Sequence, residues 1–263
     1  MAIKVIQQPK IEPVEVSELK DHLRITHDDE DSTLETYLKA ATRYAESTLC
    51  WRVFVEQTLE LTLDSFKDEI RLPRPPLKEV ESVKYFDKDN DEQTVDTDVY
   101  IVDSDSEPGR VVKANGEAWP TDLYQVNAVK IRYKAGYPTF TGKVNVTNGE
   151  SDPFVNVSWQ SGDKFDTDWQ EGQRIVINGS VYSISEITDD ENLTIQEGAG
   201  EELTDVNYSV NFAPQEIKQG ILLLAGHFFE VREPIVIGTS VMTVPFTVEA
   251  LLMPWRAWGG EVK

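Results

Sequence analysis

Between Pro214 and Glu233 apolar residues return every three or four positions, at Ile217, Ile221, Leu224, Phe228 and Val231. Leu222, Leu223, Ala225 and Phe229 widen that stripe until little polar surface remains, which predicts a helix covered on several sides. Pro214 opens it, Glu216 suits its first turn, Arg232 its last, and Pro234 stops it. A second helical stripe runs through Leu34, Leu38, Ala41, Ala45 and Leu49, flanked by Tyr37 and Tyr44, with Ser32 and Glu35 spaced as a capping box. A shorter helix capped by Ser17 places Leu19 and Leu23 on one face. The run His27-Asp28-Asp29-Glu30-Asp31 then separates the two helices as a solvated entry. A last helix opens at Pro245 with Val248, Leu251, Leu252 and Trp255 along one side, after the apolar extended stretch 235–241.

Elsewhere the period is two. Val55, Gln57, Leu59, Leu61 and Leu63 alternate with polar residues and predict a half-buried strand. Leu72-Pro73-Arg74-Pro75-Pro76 is a rigid loop that no sheet interior accepts. Val80, Val83 and Tyr85 lead into an acidic turn at 87–91, and Val95, Tyr100 and Val102 leave it, as in a hairpin. A further strand pair is expected from 109–112 and 129–133. From Pro138 to Phe212 the helical patterns vanish. Short alternating runs follow one another there, separated by Asn148-Gly149, Ser161-Gly162, Glu171-Gly172, Asn178-Gly179 and Asp189-Asp190. The expected fold class is α+β: a helical core with antiparallel hairpins or sheet, plus an inserted small all-β domain of barrel or sandwich type. The expected boundaries are 1–138 and 212–263 for the two parts of the core and 139–211 for the insertion, whose ends should lie close together.

Charge changes this picture more than composition does. The chain of 263 residues has 47 acidic and 25 basic side chains, a formal −22. Residues 138–211 hold 14 acids against 3 bases, half of that charge. Such a surface repels phosphates and speaks against sequence-independent nucleic-acid binding. The last 52 residues are nearly neutral and apolar, as suits a surface that meets another protein. No secretory signal pattern opens the sequence and no apolar run reaches membrane length, so a soluble, non-secreted protein without a membrane partner is expected. Cys50 is expected to be packed rather than reactive.

No catalytic or metal constellation stands out. His22, His27 and His227 have no metal-ligand spacing, and no nucleophile elbow occurs. The turn 87–91 superficially matches a calcium loop, but Glu92 stands where Gly is needed. The stretch 136–144 departs from a phosphate loop in its glycine spacing and at Val144. We expect no enzyme, no cofactor and no metal.

Several segments carry a family likeness. Val16-Ser17-Glu18-Leu19-Lys20-Asp21-His22-Leu23-Arg24-Ile25 and the long helix after it, the 80–102 hairpin, Tyr133-Lys134-Ala135-Gly136-Tyr137-Pro138, the 217–233 helix and Val236-Ile237-Gly238-Thr239-Ser240 together resemble the gp6-like head-tail connector proteins of tailed bacteriophages. The likeness spans roughly 10–138 and 212–257. Within the insertion, 162–165, Trp169, 172–179, 182–184 and 193–195 resemble a small β domain of phage structural proteins. The resemblance implies a structural virion protein that forms a homo-oligomeric ring, typically of twelve copies, under the portal. It would extend the channel through which genomic DNA passes without sequence-specific binding, and would present a platform to the stopper or tail-completion protein. It implies assembly in the host bacterial cytoplasm and residence at the neck. The expected subunit or portal contacts are Ile221, Leu224, Phe228, Val236, Ile237, Val248, Leu252, Trp255 and Trp258. The other reading is a phage tail or surface module that binds a glycan or receptor, with Trp159, Trp169 and Tyr182 as a stacking platform. Tryptophans in a small β module are more often core, so those three residues also suit a β-domain core.

Overall fold

The computed structural model describes residues 1–149, 155–231 and 246–257. In chain order the elements begin with strand β1 (Ala2–Gln7), helix α1 (Val16–Leu23) and helix α2 (Asp31–Tyr44), which runs on into a π-helical turn, Ala45–Leu49. Strands β2 (Gln57–Leu63), β3 (Glu69–Arg71), β4 (Leu77–Phe86), β5 (Glu92–Thr94), β6 (Tyr100–Asp103), β7 (Arg110–Lys113) and β8 (Val129–Ala135) follow. Next come β9 (Thr139–Thr147), β10 (Asn156–Gly162), β11 (Arg174–Ile177), β12 (Ser180–Ile187), β13 (Asn192–Ile195) and β14 (Leu203–Asn211). Helices α3 (Gln215–Glu230) and α4 (Phe246–Leu252) complete the series, and a 3-10 turn, Met253–Trp255, follows α4. The mixture is α+β with a closed β-barrel.

The chain divides into two units, one built from 1–10, 42–137 and the C-terminal segment, the other from 11–41 and 138–243. The chain changes unit between Tyr137 and Pro138, and α1 and α3 fall in the same unit as the barrel. In the first unit an antiparallel sheet has the order β1-β2-β8-β4-β5. Its centre, β8, alternates buried Val129, Ile131, Tyr133 and Ala135 with outward Lys130, Arg132 and Lys134. A small sheet of order β3-β7-β6 contributes Ile70 and Val111 to the same core, with Leu59, Leu61, Leu63 and Val83.

Two strand expectations are corrected here. The partner of β4 in its hairpin is β5, while Val102 lies in β6 and pairs with Val111 of β7 in the other sheet. The segment 110–113 therefore does not pair with 129–133, whose neighbours are β2 and β4. Alternation identifies a strand but carries no information on its partner, and the chain between Thr94 and Tyr100 is long enough to change sheets. The acidic turn at 87–91 is organised by Asp87, which accepts from the Asp89 and Asp91 amides and from Gln93 Nε2, each at 3.0 Å.

In the second unit six antiparallel strands close into a barrel of order β10-β13-β12-β11-β14-β9, with β9 also pairing with β10. Closure leaves no open edge, which an open barrel or sandwich would. Thr139 and Asn211 are register partners, so the barrel's first and last residues meet. Asn178 and Gly179 both have positive φ, 51° and 80°, in a two-residue turn between Ile177 and Ser180. Where β9 passes β10, Gly142 faces Gly162, and a Cβ on either would strike the other strand's backbone. The core combines Val144, Val146, Val157, Ile175, Ile177, Ile184, Leu193 and Ile195 with the rings of Phe165, Trp169 and Tyr208.

The helices show where local signals were misread. The first residue outside α1 is Glu15, not Ser17, and its amide donates to Glu18 Oε2 at 2.9 Å. Ser17 lies inside the helix, with Oγ donating to the Gly179 carbonyl at 2.9 Å. Ser32 and Glu35 do not form a capping box: α2 already begins at Asp31, and Glu35 pairs with Lys39 one turn on. The stripe itself is as expected, with Leu34, Leu38, Ala41 and Ala45 fully buried. Helix α3 buries Ile217, Ile221, Leu222, Leu224 and Ala225. Its Gly226 faces α1, where a Cβ would make ordinary contact with Leu23 Cδ2 at 3.4 Å.

Candidate functional site

In the first unit the C-terminal segment is held by one arginine. Arg52 is 4% exposed, placed by the turn that ends α2's extension and by Val53, whose amide donates to the Pro75 carbonyl. Its Nε donates to the Trp255 carbonyl at 2.8 Å, and its two terminal nitrogens grip both carboxylate oxygens of Glu107, Nη1 to Oε1 at 2.9 Å. The hydrogen bonds from Arg52 hold the Glu107 carboxyl below the usual range. Tyr137 stands edge-on to the Trp255 ring at 6.4 Å. Around this grip the Ala257 amide donates to the Cys50 carbonyl at 2.8 Å, and Cys50 Sγ donates to the Leu252 carbonyl. Burial pushes the Cys50 thiol up to about 11. The thiol is thus packed and protonated at neutral pH.

This arrangement fixes α4 so that Val248 and Leu252 are buried while Phe246 and Met253 are 77% and 61% exposed. Beside them lies a cavity of about 270 Å³ lined by Thr48, Leu49, Glu249, Leu252, Met253 and Arg256. Large apolar side chains held outward by a rigid backbone anchor are what a protein contact requires.

A second polar cluster lies in the other unit, where α1, α3 and the barrel supply Glu15, Glu18, Arg174, Asn211 and Lys218 around a cavity of about 20 Å³. Arg174 Nη1 meets Glu18 Oε1 at 2.7 Å. Lys218 is 6% exposed, its Nζ donates to the Asn211 carbonyl at 3.1 Å, and burial lowers its pKa. Burial, followed by the nearby Glu18 and Glu12 charges, raises the Glu15 pKa. The cluster ties helix to barrel through charged hydrogen bonds.

The expected contact residues divide into three groups. Ile221, Leu224, Val248 and Leu252 are buried within the chain itself, whereas Phe228 and Trp255 are half-buried. Val236, Ile237 and Trp258 lie outside the described residues. Of the aromatic trio, Trp169 sits in the barrel core against Phe140, Phe165 and Phe212. Trp159 and Tyr182 are half-buried against the same core, with Trp159 Nε1 on the Asp163 carbonyl. The three do not form one exposed stacking face.

Four residues that shape these sites were missed: Arg52, Glu107, Phe246 and Lys218. Arg52 is a lone charge in Cys50-Trp51-Arg52-Val53-Phe54-Val55, a composition that calls for a buried partner. Lys218 shares a helical face with Leu222 and Ala225. Among the described residues no group of three or more His, Cys, Asp or Glu side chains is arranged to hold a metal, and no helix is long and apolar enough to cross a membrane.

Comparison with known proteins adds the following. Residues 13–105 match the family model described as phage gp6-like head-tail connector protein, the family that the sequence resembles. No curated protein matches the chain. Solved structures do. A chain from the neck of an empty gene transfer agent (GTA) particle computed with C6 symmetry aligns over 98% of this chain and 96% of its own, at 20% identity and a TM-score of 0.57. A chain from the virion of a native GTA particle gives the same coverage and identity with a TM-score of 0.58. A chain from the neck of a native particle computed with C12 symmetry aligns with the same coverage at 18% identity and 0.56. The shared fold thus takes in the barrel as well as the stretch matched by the family model.

Proposed function

We propose, from the connector domain over residues 13–105, that this protein is a structural component of a phage-type neck, where it joins head to tail. The observation that carries the reading is that match, supported by a fold shared over nearly the whole chain with chains of GTA neck and virion particles. In the finer form of the proposal the chain closes into a ring of twelve copies beneath the portal and offers its other face to a stopper or tail-completion protein. Symmetric head-to-tail contacts close into rings when the rotation between copies allows. The formal charge of −22 suits a wall past which DNA slides, since carboxylates repel phosphates. The role needs no catalysis, and we assign none.

Phe246 and Met253, displayed by the Arg52 anchor, together with Phe228 and Trp255, are the proposed contact residues. The test is to isolate virions carrying the chain and cross-link them. Cross-links between this chain and the portal, with labelled chain located at the head-tail junction, are the expected result. A chain found only at the tail tip or free of particles would overturn the assignment.

A further inference from the structure

Four arginines among the described residues are at least partly buried: Arg52, Arg74, Arg110 and Arg174. Three hold carboxylates, Arg52 on Glu107, Arg110 on Asp103 and Glu69, and Arg174 on Glu18. Arg74 differs. Its guanidinium lies over the Trp51 indole, with Cζ 4.9 Å from the ring centroid, and among the described residues no carboxylate reaches it. Its Nε is buried without an acceptor, and so is Trp51 Nε1. A cation-π contact offsets part of the desolvation of a guanidinium but uses none of its five N–H donors. Among the described residues Arg74 Nε and Trp51 Nε1 are thus shielded from solvent and lack an acceptor, and a carboxylate reaches them only as the two side chains shift on association.

The backbone holds them in this state. Trp51 and Arg74 have φ of 53° and 62°, a left-handed conformation disfavoured for bulky side chains. Arg74 also precedes Pro75, which ordinarily pushes the preceding residue to extended geometry. The loop keeps this shape because it is tied on both sides of Arg74. Pro73 accepts from Tyr133 Oη at 2.7 Å, Pro75 from the Val53 amide at 3.0 Å and Pro76 from the Gly136 amide at 2.9 Å. Strain maintained by surrounding contacts, next to unmatched donors, marks a site that is prepared and incomplete.

We propose that Trp51 and Arg74 are one half of a carboxylate site whose other half is supplied by a second copy of this chain. The guanidinium fork matches two carboxylate oxygens, and the indole N–H offers a third donor. The charge distribution favours a second copy as the source. Residues 11–41 and 138–243 carry 26 acidic against 8 basic side chains, and 1–10, 42–137 and 244–263 carry 21 against 17. Each copy therefore brings an excess of carboxylates to any contact with the next. This inference rests on the ring-forming reading of the protein.

The test uses the full chain in a concentration series followed by mass photometry, with 5-fluorotryptophan labelling and ¹⁹F NMR. The Trp51 resonance is identified by its loss in Trp51→Phe. Arg74→Gln is expected to weaken self-association at least tenfold while leaving the monomer's melting temperature nearly unchanged, and Arg74→Lys to recover only part of the loss. Trp51→Phe, which keeps an aromatic face but removes the N–H, is expected to weaken association about threefold, and it serves if Arg74→Gln fails to fold. The Trp51 resonance should shift on association. Rings that form equally well with Arg74→Gln or Trp51→Phe overturn this inference and leave the ring reading intact. A chain monomeric at every concentration overturns this inference, and it overturns the ring reading too if purified portal induces no rings. A Trp51 shift produced in the monomer by acetate or inorganic phosphate alone, without a dependence on protein concentration, identifies a free-anion site and also overturns the proposal.

Discussion

The two units of the chain differ in how far carboxylates outnumber cations. The unit built on the β1-β2-β8-β4-β5 sheet has 21 acidic and 17 basic residues, and its outer face is laced by cross-strand pairs, Arg132 with Glu60, Lys134 with Glu79, and Lys84 with Glu92. The barrel unit has 26 acidic and 8 basic residues, too few cations to pair every carboxylate. Its cations are paired as well, Lys143 with Asp205, Lys164 with Asp190 and Arg174 with Glu18, and carboxylates in excess of them accept from backbone amides, Asp163 from Thr141, Asp166 from Asp168 and Asp189 from Glu191. The first unit uses charge as a local fastener. In the second, carboxylates outnumber cations more than threefold, and the fold rests on closure and an aromatic core. In the neck role proposed above, that excess of carboxylates suits a surface past which DNA phosphates slide.

The largest effects should come from breaking the anchor of the first unit and the core of the second. Glu107→Ala leaves the buried Arg52 guanidinium with the Trp255 carbonyl and Tyr137 hydroxyl but no countercharge, and because Glu107 is half exposed the cost should be about 3 kcal/mol, the low end for a broken buried pair. Urea denaturation followed by ring-current-shifted methyl signals from each unit should show the loss in Val83 and Ile131 and not in Ile184. Equal loss in both would mean that the units do not differ as described. The converse variant, Ile184→Ala, opens a cavity in the barrel and should cost about 2–5 kcal/mol, read by the barrel signals.

Acid should separate the units next. In the first, hydrogen bonds hold Glu69, Glu79, Asp87, Glu92 and Glu107 below their ordinary values, and Ser106 with Arg110 holds Asp103 at about 2. Groups whose folded pKa is depressed contribute stability above their unfolded pKa, and that contribution is lost as pH falls through the folded value. In the barrel unit Asp28 and Asp189 act in the same sense, but Glu15 acts in the opposite one, because its folded pKa is raised. Between pH 4.5 and about 2 the first unit should therefore lose more stability than the second. A thermal melt series with unit-specific probes checks this, and parallel losses would contradict it.

The smallest effect is expected at Lys218. Its folded pKa lies below 10.5, so the unfolded state binds more protons in that window and stability rises with pH through it. Lys218→Met removes the buried charge and should leave stability at pH 7 within about 1 kcal/mol while flattening the alkaline rise. A large loss at neutral pH would show that the ammonium's bond to the Asn211 carbonyl outweighs its desolvation.

Much of this was legible in the chain, and the omissions have physical causes. The period of Leu34, Leu38, Ala41 and Ala45 marked the buried face of α2, and Asn178-Gly179 marked a tight turn, because both signals are local. The sheet change between β5 and β6 was hidden, since pairing depends on distant residues. Ser17 looked like a cap because serine suits caps, but Glu15 and Glu18 performed that role from their positions two residues before and one after it. Ile221, Leu224, Val248 and Leu252 were read as contact residues for the reason that makes them core: apolarity alone does not say whether the covering surface belongs to the same chain. Phe246, 77% exposed at the start of α4, was visible only once the fold had placed it.

In the role proposed above, this chain builds a closed ring at the neck. The most direct measurement is electron microscopy of the purified protein, alone and mixed with purified portal, across a concentration series. Closed rings of uniform copy number, with a lumen wide enough to pass a DNA duplex, are the predicted result. Monomers or irregular aggregates under both conditions would contradict it.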